Sequence, residues 1–371
     1  MRTAVATTPD ARPLRIGLTL TRTVTVLGAA GLLLAALVVV AVAIGSSEVG
    51  IGNTAAILGR RLLALPIPET WSPTAETIIF DLRLPRVLTA MLVGGGLAMA
   101  GAVFQALLRN PLADPYVIGT AAGASFGAAL GIVAPLLLPV LAIGAGTSWL
   151  GLGIVQLFAF GGGLATVLLV YAVARSGGRV QVITLLLTGY AISAVLAAAV
   201  AMLMFVSGNA LRAIFGWLMG SLANASWMAL AFATPLMLIS FVLLLARWRR
   251  LNLLMLGDAH AATLGVDVER EKLLLTVLAT LATSAAVAIS GTIGFVGLVV
   301  PHLLRLVIGP DHRLLLPASL LMGASLLVVA DLGARILLGG IPVGIVTALI
   351  GAPFFLWLLR RSQLLRIELS A

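Results

Sequence analysis

Ten apolar runs follow one another between about residue 24 and residue 359, separated by short polar stretches. A bilayer core takes roughly 20 apolar residues per helix, because each residue of an α-helix rises about 1.5 Å. The runs lie at about 24–44, 87–107, 116–142, 151–173, 183–206, 228–246, 273–290, 294–307, 315–338 and 342–359, several of them short or interrupted by Gly and Pro. They predict an all-α polytopic membrane protein with about ten transmembrane helices. Residues 208–222, with Arg212 and Trp217, predict a further short helix lying across the outer surface. Only 10% of the residues are charged, against about 25% in a soluble domain, so no soluble domain is expected. The organisation read from the chain is an N-terminal tail (1–22), one membrane domain (23–361) with a long polar loop at 247–272, and a C-terminal tail (362–371).

The first run could pass for a signal peptide, since Arg12, Arg15 and Arg22 precede it and Ala41-Val42-Ala43 resembles a cleavage site. A signal h-region is only about 7–15 residues long. This run is longer and reads as an uncleaved anchor. An even number of spans puts both termini on one side. With the N-terminus inside, the inner groups hold Arg2, Arg12, Arg15, Arg22, Arg109, Arg175, Arg179, Arg247, Arg249, Arg250, Arg270, Lys272, Arg305, Arg313, Arg360, Arg361 and Arg366. The outer groups hold Arg60, Arg61, Arg83, Arg86, Arg212 and Arg335. The excess of Lys and Arg therefore places both termini in the cytoplasm.

The same distribution disposes of a nucleic-acid reading of the +10 net charge, because no basic stripe with interleaved aromatics exists. There are no cysteines, hence no disulfides or thiolate metal sites. A P-loop needs a lysine behind a glycine-rich turn. The chain's one lysine, Lys272, sits in Val268-Glu269-Arg270-Glu271-Lys272 with no such turn, so any ATP chemistry is expected on a partner and this chain is expected to be no enzyme. Ion-coupled transport draws on charges deep in the membrane. Here Asp331 and Arg335 read as a self-neutralising i,i+4 pair, and Asp114 falls in a loop between Pro111 and Pro115. His260, His302 and His312 are scattered along the cytoplasmic side and read as solvated or capping rather than as metal ligands.

Small residues mark the close contacts. Gly119, Gly123, Gly127 and Gly131 recur every four residues on one helix face, which suits either the close approach of another backbone or a wide pathway for a bulky solute, two readings that spacing does not separate. Gly94, Gly95, Gly96, Ala98, Ala100 and Gly101 enrich the second run in the same way. Gly291, Gly294 and Gly297 recur every three residues, which would keep them near one helix face, and Pro301 should end or kink that helix. A broken helix at membrane depth must be buried or line a water-filled cavity. In the 247–272 loop, Leu253, Leu256, Ala261 and Leu264 predict a short amphipathic helix with Gly257 and Gly265 framing 258–264. Its mixed-charge polar face favours a protein groove over the membrane surface.

Four stretches, in order, resemble the permease family that imports iron–siderophores, haem and cobalamin. The first is Arg83-Leu84-Pro85-Arg86-Val87-Leu88 leading into Gly101-Ala102-Val103-Phe104-Gln105-Ala106-Leu107-Leu108-Arg109-Asn110-Pro111-Leu112-Ala113-Asp114-Pro115. The second is Trp217-Leu218-Met219-Gly220-Ser221-Leu222, and the third runs from Leu256 to Gly265. The fourth is Gly294-Phe295-Val296-Gly297-Leu298-Val299-Val300-Pro301-His302-Leu303-Leu304-Arg305 with Asp311-His312-Arg313. Pro342-Val343-Gly344 and Gly351-Ala352-Pro353-Phe354 match as well. The resemblance covers about residues 80–361, leaving the tail before Arg22 and the outer loop 45–82 unmatched.

The resemblance implies a homodimer of ten-span subunits in the cytoplasmic (inner) membrane, with the solute pathway between the copies. It implies two ATPase subunits below, holding ATP and Mg, and a solute-binding protein above; this chain would hold no cofactor or metal. Leu256, Gly257, Asp258, Ala259, Ala262, Leu264 and Gly265 would form the coupling helix in the ATPase groove. Arg83, Arg86 and Arg335 would meet acidic residues of the binding protein, and Gln181, Val182 and Ile183 would mark the inner gate. A ferric siderophore is the first expectation for the cargo because it is the commonest family assignment, with haem or cobalamin next. The alternative class is a secondary carrier or channel working without an ATPase.

Overall fold

The computed structural model describes residues 20–45, 49–137, 153–176, 179–337 and 339–370. Each of the ten apolar runs is a helix: α1 (Leu20–Ala43), α4 (Leu84–Leu107), α5 (Thr120–Leu137), α6 (Ile154–Ala174), α7 (Val182–Val206), α9 (Trp227–Ala246), α12 (Val268–Ser290), α13 (Val296–Ile308), α14 (His312–Ile336) and α15 (Val343–Ser370). Between them lie α2 (Ile51–Leu63), α3 (Pro73–Thr77), α8 (Leu211–Leu218), α10 (Trp248–Met255) and α11 (Asp258–Thr263). Among the described residues seven helices are long and apolar enough to cross a membrane, and the helices beginning at Thr120, Val296 and Val343 are shorter apolar ones. Arg2, Arg12, Arg15 and the stretch 138–152, which holds the end of the third run and the start of the fourth, lie outside the described residues.

Helix α4 is the axis of the bundle. Its span is 83% buried, and α9, α12, α13 and α14 pack around it. The glycine-rich second run is thus a central helix that neighbours approach to backbone distance. Helices α5, α6 and α7 form a second group that leans on α12, and α1 packs along α14. Gly123, Gly127 and Gly131 do face one partner: a Cβ on any of them would collide with the α6 backbone or Thr166. Gly119 departs from that stripe. It sits before the helix at φ +94 and closes the short 3₁₀ turn Pro115–Ile118.

Two other expectations change, and the structure adds detail at Pro301 and in the outer loop. The region around Gly291, Gly294 and Gly297 is not one helix face, because residues 291–295 are non-helical and α13 begins only at Val296. Pro301 does not end α13, which continues to Ile308. The carbonyl that Pro301 leaves without an intrahelical donor, that of Gly297, faces Gly101 of α4 instead. The single amphipathic helix expected over Leu253–Leu264 is two helices, α10 and α11, broken at Gly257 (φ +108). The outer loop 45–82 is structured by α2, α3 and a π-helical turn, Ile78–Arg83, that runs directly into α4.

Candidate functional site

Three stretches singled out in the sequence meet where the helices break. Gly220 follows α8 with φ +66 and Gly291 follows α12 with φ +69, values that L side chains resist. The Ser221 N–H donates to the Ser290 carbonyl at 2.8 Å, and the Gly344 N–H donates to the Gly220 carbonyl at 3.1 Å. The Thr292 hydroxyl donates to the Leu218 carbonyl at 2.6 Å. The Tyr116 hydroxyl, from the turn after α4, donates to the Ile293 carbonyl at 3.0 Å. These bonds supply partners that a continuous helix would have provided, as buried irregular backbone in a membrane protein requires.

Two cavities flank this knot. One, of about 560 Å³, is lined in part by Gln156, Arg212, Trp217, Ser221, Asn224 and Ser290. The other, of about 670 Å³, is lined by small and hydroxylated residues including Tyr116, Ser125, Thr292, Gly294 and Gly344 with Met219. The sequence motifs at 217–222, 294–297 and 342–344 are therefore neighbours in space. Periodicity could not show this, because the contacts are made by the non-helical residues.

At the outer end, the structure brings Arg83, Arg86 and Arg335 together. Arg83 is buried and donates to the Val42 and Ala43 carbonyls at the end of α1. Arg335 donates to the Ala41 carbonyl and pairs with Asp331 at 3.1 Å. Arg86 grips Asp331 in a fork, through Nε at 3.1 Å to both oxygens and Nη2 at 2.8 Å to Oδ1. Asp331, only 1% exposed, is the residue the sequence undervalued: its i,i+4 pair with Arg335 is present, but Arg86 binds it more fully. The outer-loop arginines have their own partners, Arg60 with Glu69 at 2.6 Å and Arg61 with Glu76 at 2.5 Å.

At the inner end, Gly257 precedes α11, whose first-turn Asp258 is bound by Arg109 at 2.9 Å and by Lys272 at 2.6 Å. Ala261 is fully buried, whereas Leu256 and Leu264 are 61% and 60% exposed. Gln181 precedes the first turn of α7, and Ile183 stands 61% exposed beside half-buried Val182. His312 is not solvated. It is buried at the start of α14 with its Nδ1 2.8 Å from the Asn252 side-chain oxygen. His302 Nδ1 lies 3.3 Å from the Pro111 carbonyl, and His260, in α11, is remote from both in the chain. Among the described residues no three His, Asp or Glu side chains are gathered as metal ligands.

Asp114 caps the turn after α4 by accepting the Tyr116 N–H at 2.8 Å. Burial pushes its carboxyl up to about 6, against the opposing pull of that N–H. A carboxyl raised above its unfolded value of 3.8 favours the fold most when protonated, and that contribution fades as pH rises through about 6. Asp114→Asn keeps a good cap and removes the titration. The thermal midpoint of the purified variant should therefore fall less between pH 4 and pH 6 than that of the parent. Equal slopes would remove Asp114 from the account.

The FecCD transport family model matches residues 32–361. The chain is 45% identical over 301 residues to the cobalamin import system permease of Halobacterium salinarum, covering 81% of this chain and 77% of the relative. It is 42% identical over 340 residues to the hemin transport system permease of Yersinia pestis, covering 90% and 95%. Among solved structures, an inward-facing ABC transporter described as of the metal-chelate type superposes with a TM-score of 0.76 at 34% identity, over 91% of this chain and 99% of that one. With ten apolar helices, a buried broken-helix knot and charge clusters at both ends, the chain belongs to the FecCD transport family and is a multi-pass permease of ABC importers in the inner membrane.

Proposed function

We propose that the chain is one half of a homodimer that passes an intact metal chelate to the cytoplasm, with ferric siderophore, haem and cobalamin as the candidate cargoes. The observation that carries this reading is the pair of cavities around the broken-helix knot. Their linings of hydroxyls, glycines and apolar groups suit a bulky ligand that keeps its metal wrapped, and the relatives named for cobalamin and hemin carry cargo of that kind. The bare side of α7, with Ile183, Leu187, Tyr190, Met202 and Phe205 all more than 60% exposed, supports a second copy packed beside the pathway, and Gln181, Val182 and Ile183 would form its inner gate.

Two ATPase subunits, holding ATP and Mg, would bind at the cytoplasmic face. The exposed Leu256 and Leu264 on either side of α11 support a groove-binding role for that segment, with Gly257, Asp258, Ala259, Ala262 and Gly265 shaping it. A solute-binding protein would dock over Arg83, Arg86 and Arg335, where Arg86 and Arg335 share Asp331 and Arg83 holds the end of α1. Charges of this sort mainly steer association and fix register. This chain itself would hydrolyse nothing.

The test is uptake of labelled ferric siderophores, haem and cobalamin by cells with and without the gene, the partner ATPase and binding protein being present. Loss of uptake of one chelate on deletion supports the reading and names the cargo. Unchanged uptake of all three chelates overturns it.

A further inference from the structure

Three separate elements are fastened to the first turn of α12, Val268-Glu269-Arg270-Glu271-Lys272, of which the Lys272–Asp258 pair at the inner end is one contact. Lys272, the chain's one lysine, is 8% exposed, and its ammonium binds Asp258 of α11. Glu271, 2% exposed, accepts from Arg247 at 2.9 Å and Arg250 at 2.5 Å, which start α10. Glu269 turns toward the other side. Its carboxylate accepts the backbone N–H of Val180 at 3.1 Å, and its carbonyl accepts the Tyr171 hydroxyl at 3.4 Å.

Val180 belongs to a two-strand hairpin, Arg175–Ser176 paired antiparallel with Arg179–Val180, that joins α6 to α7. The Lys272 side chain also lines a small apolar pocket with Phe104, Val180, Val182 and Leu185. One helical turn therefore touches both the cytoplasmic helix pair and the hairpin that leads into α7. A lysine five residues into a helix gains nothing from the helix dipole, and burying its charge is tolerated only with a partner. Asp258 is that partner, so the position of α11 and the position of Lys272 depend on each other. Other attachments hold the pair as well: α10 packs on α4, α9 and α14 with Asn252 bonded to Asp311 and His312, and Arg109 shares Asp258 with Lys272.

We infer that this turn is the junction through which displacement of α11 reaches the start of α7, with Lys272 and Glu269 as positioning residues. The inference rests on the transporter reading above. A pull on α11 moves Asp258, Asp258 draws Lys272, and the rigid turn carries Glu269 with the Val180 hairpin that sets the first residues of α7.

The absence of cysteine makes a direct test possible. In an Ile183→Cys parent, reconstituted with its ATPase, thiol labelling is measured with and without ATP plus vanadate. Lys272→Met preserves the stem that fills the apolar pocket and removes only the ammonium. Glu269→Ala, which removes the acceptor of the Val180 N–H, serves as a second variant should the first not fold. Nucleotide is expected to change labelling of the parent several-fold, within the roughly 5–150-fold span of a typical coupling energy. In Lys272→Met and Glu269→Ala that response should be lost while ATP hydrolysis persists, and Lys272→Arg should restore it. A responsive parent whose two variants respond equally overturns the junction alone. A parent that binds no ATPase, or whose labelling ignores nucleotide, overturns the transporter reading and the junction with it.

Discussion

Gly101→Val is expected to remove folded protein from the membrane. A Cβ at this position would lie 1.8 Å from the Gly297 carbonyl oxygen and 2.7 Å from the Gly297 Cα. Both atoms are backbone of α13, so no side chain can swing aside. Gly297 is itself closely packed, since a Cβ there would lie 2.6 Å from the Pro115 ring and 2.8 Å from the Leu97 carbonyl of α4. Extra methylenes in a packed core usually cost about 1–3 kcal/mol through side-chain shifts. Here the whole helix would have to retreat, and total stability is only about 5–15 kcal/mol. Gly161→Ala is the control, since nothing lies within 4 Å of the added atom. Yield of monodisperse protein in detergent is the readout. Normal yield of Gly101→Val would refute the α4–α13 crossing.

The second large effect is expected from Asp331→Ala. This carboxylate is shared by Arg86 and Arg335, whose side chains are 19% and 9% exposed. Removing one partner of a buried ion pair costs about 3–5 kcal/mol, because the remaining charge is left uncompensated. The thermal midpoint of the purified protein should fall sharply. Adding Arg86→Met to Asp331→Ala should recover part of the loss, since the penalty belongs to the stranded guanidinium and not to the missing contact. If the double variant is no more stable than Asp331→Ala, the ion pair is not what secures this end of the bundle. Because Arg335 and Arg83 also hold the last carbonyls of α1, limited proteolysis after α1 gives an independent reading of the same damage.

These two positions show how unequally the fold could be read in advance. The richness of the second run in small residues announced close helix packing, and Gly101 lies in it. Nothing local indicated that its neighbour would be Gly297, since the contact depends on where α13 starts after the 291–295 break. The i,i+4 relation of Asp331 and Arg335 was visible along one helix. The stronger fork from Arg86 was not, because it joins residues 245 apart in the chain. The outer helices α2 and α3 escaped notice for a related reason: they are short, polar on one side and anchored by side-chain pairs rather than by an apolar run. Some of the motifs that the resemblance joined in sequence order meet in space, with 217–222, 290–295 and 342–344 bonded backbone to backbone, while Arg83–Arg86 and 256–265 lie at opposite ends.

Sequence by itself determined that this chain crosses a bilayer about ten times, which end of each helix carries positive charge, and which permease family it joins. Those properties depend on the length and polarity of single segments, and water and lipid read them segment by segment. Only the tertiary structure decided that α4 is the buried axis, that the broken ends of α8, α12 and α15 knit into a knot between two cavities, and that Lys272 holds Asp258. Each of these joins groups far apart in the chain. In lipid, a stranded carbonyl or an unpaired charge finds its partner through the packing of whole helices, not through its neighbours in sequence.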